Sequence, residues 1–195
     1  MKKTLIMIVA LACSLAASAQ HEEGEFGVSF RAGLAASNIT NENEGVWRTG
    51  FAIFAEGEYA LTDNMALSAG LAFVQQGEKA KGEAIHMNLD YINIPVLFNF
   101  YPVKGLALKT GLQPGFMVRK NISGYGESFD SNWFLDRLNR FDLSIPFGIS
   151  YEISGFIVDF RYNLGVTNIY DITYDDGSRE HGRNSVFTLT LGYKL

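Results

Sequence analysis

The sequence predicts an all-β protein, an eight-stranded antiparallel up-and-down transmembrane β-barrel, and three observations carry that expectation. Apolar side chains recur at every second position over long runs, as in Phe156, Val158, Phe160, Tyr162, Leu164 and Val166. The residues between them (Ile157, Asp159, Arg161, Asn163, Gly165 and Thr167) are mostly polar, small or charged. A period of two makes a strand with two chemically different faces, and this run is about twice the common strand length of ~5–6 residues. Such runs are separated alternately by tight turns and by longer polar segments, the pattern of an outer-membrane barrel. The face opposite the apolar one is rich in small residues, which relieve crowding on a concave inner surface.

The runs fall in order at about 26–36, 50–61, 65–75, 89–101, 106–118, 141–151, 156–167 and 185–195. The first shows Phe26, Val28, Phe30, Ala32 and Leu34 on its apolar face, and the second Phe51, Ile53, Ala55, Gly57, Tyr59 and Leu61. The third carries Leu67, Leu71 and Phe73, and the fourth Ile92, Ile94, Val96, Phe98 and Phe100. Leu106, Leu108, Leu112 and Phe116 mark the fifth; Phe141, Leu143, Ile145, Phe147, Ile149 and Tyr151 mark the sixth. The last shows Phe187, Leu189, Leu191, Tyr193 and Leu195. Short turns are expected at 62–64, 102–105 and 153–155, where Asp, Asn, Pro, Ser and Gly concentrate. Longer loops are expected at 37–49, 76–88, 119–140 and 168–184. Pro95, Pro114 and Pro146 fall inside predicted strands. A closed barrel has no edge on which to hide a missing N–H, so local bulges are expected there.

The first nineteen residues read as a secretory signal peptide: a basic start at Lys2 and Lys3, an apolar core from Leu5 to Leu15, and Ala17-Ser18-Ala19 before Gln20. Cleavage after Ala19 leaves 20–195 as a single barrel domain. The lone Cys13 leaves with the leader; processing as a lipoprotein at Cys13 would cut the apolar core very short. Formal charge is −5, and no basic tract remains, so the footprint of a nucleic-acid binder is absent. A soluble lipocalin-like barrel would also have eight strands, with its apolar face inward. Glycine and alanine on the polar face (Gly33, Ala35, Gly70, Ala72, Gly111, Gly115, Gly148, Gly165 and Gly192) favour the membrane alternative. Tyr59, Tyr151, Tyr193 and Phe100 fall near the turn ends, where an interfacial girdle would lie.

The stretch Leu89-Asp90-Tyr91-Ile92-Asn93-Ile94-Pro95-Val96, continuing through Phe100-Tyr101-Pro102, resembles the fourth-strand motif of the small outer-membrane β-barrel domain family of porin-like or PorT-like proteins. Gly111-Leu112-Gln113-Pro114-Gly115, the Arg161 to Asn168 run and Gly192-Tyr193-Lys194-Leu195 are similar to later strands of that family. The resemblance spans essentially the whole mature chain and implies architecture rather than chemistry. It implies residence in the cell outer membrane, with outer-membrane lipid and the barrel-insertion machinery as partners. The chain ends in Leu195, where many members end in an aromatic residue.

An eight-stranded barrel is only wide enough for its own side chains to fill. On the polar face stand Arg31, Lys109, Arg119, Arg161 and Lys194 against Glu56, Glu58, Asp142, Glu152 and Asp159. Two readings stand side by side: a lumen network that closes the bore, or charges that reach water at the barrel ends. Catalysis finds little support, because His21, His86 and His181 have no nearby serine in the pattern of barrel hydrolases. Asp171, Asp175, Asp176, Glu180 and His181 make the last loop acidic, but Asp175-Asp176-Gly177 reads as a turn before it reads as a calcium site. Trp133 and Phe134, in a segment that Asn132 could cap as a short helix, and Trp47 are candidate loop contacts. The expectation is a monomeric, non-catalytic protein without cofactor or metal, working in a structural or surface-interaction role. The alternatives are a passive small-solute porin and an accessory barrel of a secretion apparatus.

Overall fold

The computed structural model describes residues 23–40, 45–80, 86–123, 137–173, 177 and 179–195. The strands are β1 (Phe26–Thr40), β2 (Gly45–Thr62), β3 (Met65–Ala80), β4 (His86–Asn93), β5 (Val96–Val103), β6 (Leu106–Ser123), β7 (Phe141–Ile153), β8 (Phe156–Gly165), β9 (Tyr170–Thr173) and β10 (Arg179–Lys194). All pairings are antiparallel, and β1 pairs with β10 from Ser29 opposite Lys194 to Thr40 opposite Arg183, so the sheet closes. β4 and β5 form one stave between β3 and β6, and β9 is a short hairpin arm on β10. Eight staves therefore make the ring. The signal-peptide reading lies outside the described residues.

The phase of each strand decides which solvent the wall meets. Phe156, Val158, Phe160 and Leu164 are exposed, whereas Ile157, Asp159, Arg161 and Asn163 are buried. The same sense holds on β1, where Phe30 is 55% exposed and Arg31 2%. Large apolar side chains cover the outside of every stave, and the inside is filled by polar side chains interspersed with apolar clusters such as Ala35, Ala52, Phe54, Ala72, Val74 and Val186. This is the inverse of a lipocalin-like barrel and the arrangement a lipid bilayer requires. Phe156 and Tyr193, near the turn end, meet edge to face at 5.2 Å.

The tight turns fall where expected. Ser154 and Gly155 both have positive φ (51° and 83°), the two-residue hairpin geometry whose twist matches the flanking strands. The expected loops at 37–49 and 76–88 are instead largely strand. β2 and β6 run for 18 residues, and β3 and β10 for 16, against the ~9–11 needed to cross a bilayer. Beyond the lipid a ladder needs only its hydrogen bonds, so the hairpins continue after the apolar alternation has ended.

The prolines make no bulges. Ala72 opposite Asn93 and Ala69 opposite Val96 keep one register across Pro95, and Pro114 and Pro146 sit in register opposite Leu143 and Asn163. At Pro95 and Pro114 each ring removes half of one reciprocal bond pair. The other half survives: Gly70 N–H donates to the Pro95 carbonyl at 3.1 Å, and Ile94 N–H to that of Pro114 at 2.8 Å. Register shifts occur elsewhere, including between Asp90 and Tyr91 on β4.

Candidate functional site: the barrel interior

Five predicted charges meet at mid-barrel. β1 contributes Arg31, β2 Glu56, β6 Lys109, and β8 both Asp159 and Arg161; all point inward by strand phase and all are buried. Arg161 binds Glu56 Oε1 at 2.9 Å and Asp159 Oδ2 at 3.3 Å. Arg31 pairs with Glu56 and reaches Asp159 Oδ2 at 3.1 Å, where Lys109 Nζ also arrives at 3.2 Å. The Phe54 ring lies against both guanidinium groups, with their carbons 5.4 and 5.0 Å from its centroid. Gly148 stands in register between Lys109 and Arg161. A Cβ there would meet both side chains at ordinary contact distances of 3.5–3.6 Å, so Gly148 lies directly beside the two cations.

Towards the turn end, Lys194 Nζ binds Glu58 Oε1 at 2.7 Å and lies 3.7 Å from Glu152 Oε2. The Tyr101 hydroxyl donates to Glu58 Oε2 at 2.7 Å, and Asn99 donates to the same carboxylate. A cavity of about 20 Å³ of water-accessible space lies among Glu56, Glu58, Lys109, Glu152 and Lys194; it has room for about one water. These eight residues, four cations and four anions, are thus brought together.

The outer half is different. Asp142 is buried, and among the described residues no cation lies within 4 Å of it; Thr167 Oγ1 donates to Oδ1 at 3.0 Å and Asn184 Nδ2 to Oδ2 at 3.2 Å. Arg119 corrects the expectation. Its side chain is 68% exposed and reaches Asp90 only at 3.9 Å, at the rim rather than in the lumen. The bulge that sets Asp90 opposite Arg119 and Tyr91 opposite Met117 skips Val118 and re-aims the end of β6. Above Asp142 the mouth is filled by Ile39, Leu89, Tyr91, Met117, Leu138, Ile169 and Tyr170. Sequence reasoning missed this apolar plug. Leu89 and Tyr91 lie out of phase with the lipid-facing Ile92, and that offset was the available signal.

Residues 18–171 match the outer membrane protein beta-barrel domain. The chain belongs to that family. It is an outer-membrane β-barrel, located in the outer membrane. No curated protein matches it. Among solved structures it is similar to Ail, the attachment invasion locus protein of Yersinia pestis, in complex with the heparin analogue sucrose octasulfate (TM-score 0.54, 16% identity, 88% of this chain and 99% of that one). It is also similar to the Neisserial surface protein A (TM-score 0.47, 16% identity, 87% and 97%) and to OprG from Pseudomonas aeruginosa (TM-score 0.46, 13% identity, 90% and 98%).

On the outer wall of this barrel, Trp47 is 44% exposed and packs on Phe187 at 5.4 Å, with Phe160 and Tyr162 on the same ring at 5.8 and 4.5 Å. It is part of an aromatic patch on the wall. Trp133 and Phe134 lie outside the described residues, as do His21, Asp175 and Asp176. In the last hairpin, Arg179 grips Asp171 with two bonds of 2.8 and 2.6 Å, which hold the Asp171 carboxyl below its usual range. Among the described residues no group of three His, Cys, Asp or Glu side chains could hold a metal ion.

Proposed function

We propose that this outer-membrane barrel is a monomer with a closed lumen, does no catalysis, and works in a structural or surface-interaction role through its outer hairpins and loops. One observation carries the reading: the buried cluster of Arg31, Glu56, Lys109, Asp159 and Arg161 spans the bore from β1, β2, β6 and β8. Buried charges are tolerable when paired and hydrogen-bonded, and a paired cluster of this size fills the width of an eight-stranded barrel. Several lumen serines support a non-catalytic reading, because their hydroxyls are engaged by backbone: Ser37 donates to the Gly77 carbonyl at 2.7 Å and Ser144 to that of Gln113 at 3.3 Å. Extended hairpins such as β1–β2 and β3–β4 stand clear of the lipid and offer surface for contact, a use in keeping with the attachment role in Ail's name.

Planar-bilayer recording tests the reading. Purified protein is expected to give no steady conductance, and a large, lasting one would favour the solute-porin alternative.

A further inference from the structure

β8 leaves the ladder at Gly165, and the chain then turns across the mouth instead of rising away from it. Val166 and Thr167 both donate their N–H to the Leu143 carbonyl, at 2.7 and 3.4 Å. The Thr167 hydroxyl accepts from Leu143 N–H at 2.8 Å and donates to Asp142 at 3.0 Å. Asn139 holds the next turn: its N–H donates to the Ile169 carbonyl and its side-chain amide to that of Asn168, both at 2.8 Å. Arg183 Nε adds a bond to Asn168 Oδ1 at 3.0 Å from the exposed side. Ile169 is thereby fully buried and Tyr170 nearly so. Tyr170 packs over Gly182, where a Cβ would fall 2.4 Å from the ring.

We infer that residues 166–169, between β8 and β9, form a strap, latched by Asp142, whose release uncovers the apolar plug above the charge cluster. Besides those side chains the strap is held by backbone bonds to Leu143 on β7, to Asn139 and, from Ile169 N–H, to the Gly182 carbonyl on β10 at 2.8 Å, a short set that local opening releases together. The wall on either side does not depend on it. Ser144 opposite Gly165 and Ser185 opposite Leu164 are the last pairs of β8 with its neighbours. Asp142 suits a two-position latch, because a carboxylate is satisfied either by the Thr167 and Asn184 donors or by entering water. The inference rests on the closed-lumen reading only in placing a seal below: opening exposes the plug, not a channel.

Cys13 is the sequence's only cysteine, so a Cys13→Ser background accepts a reporter. Met117→Cys places a thiol within the apolar plug, where Met117 is 8% exposed; Thr188→Cys, opposite Arg161 at the level of the cluster, is the control. The barrel is reconstituted in lipid vesicles and treated with a membrane-impermeant maleimide. Thr167→Val and Asp142→Ala are expected to speed labelling at 117 by about tenfold, the effect of losing one hydrogen bond to a charged group, and to leave 188 unchanged. An unchanged rate at 117, or an equal rise at both positions, overturns the strap. Heat-dependent gel migration reports folding, and Arg183→Gln, which cuts the exposed tether, is read in the same way if the buried variants do not fold. A steady conductance opened by Thr167→Val would uphold the strap and overturn the closed lumen beneath it.

Discussion

Arg161 shows no exposed surface, and among the described residues its charge is balanced by Glu56 and Asp159. Both partners also serve Arg31, and Asp159 serves Lys109 as well. Removing one member therefore strands the others. Breaking a buried ion pair from one side typically costs ~3–5 kcal/mol, because an uncompensated charge remains. Arg161→Met is expected to destabilise the folded barrel by about that much in urea titrations monitored in lipid vesicles, and Asp159→Leu likewise. The double variant is expected to lose clearly less than the two separate losses combined. The pairing itself was not legible. The sequence offers ten inward charges, but it takes the register and stagger of the staves to bring Arg31 to Asp159 and Lys194 to Glu58. Arg119 failed for the same reason, since one skipped residue at Val118 turned it to the rim.

Strand phase was the most legible property of the staves, since one face had to meet lipid along its whole length. Their ends were less so, because ladders outlast the apolar pattern that reveals them. The glycines of the inner face acquire a more specific role than relief of crowding. At Gly33, Gly70, Gly111 and Gly192 a Cβ would fall 2.0–2.1 Å from a carbonyl oxygen of the adjacent strand. At Gly70 the nearest atoms are Ala55 O at 2.1 Å and Glu56 Cα at 2.7 Å, both backbone, so neither can step aside alone. Gly70→Ala is expected to cost about 1–3 kcal/mol through forced backbone shifts, read as a lower urea midpoint. Retention of wild-type stability would show that the β2–β3 contact is looser than described. The prolines teach the converse. Their missing donors looked like defects to be bulged out, yet at Pro95 and Pro114 the surviving carbonyl bond keeps the register.

The molecule as a whole is organised around an inversion, with oil outside and paired charge inside, and that inversion was legible because both faces alternate over eight runs. The apolar plug at the mouth was not, since it combines Ile39, Leu138 and Ile169, which belong to no common pattern and meet only when the chain closes. Both seals depend on the wall being turned the right way round. Spin labels placed singly along β8, from Phe156 to Gly165 in the Cys13→Ser background, test this most directly. Collision with oxygen dissolved in the lipid should alternate with period two, high at Phe156, Val158, Phe160 and Leu164 and low at Ile157, Asp159, Arg161 and Asn163. The opposite phase, or no alternation at all, would contradict the account.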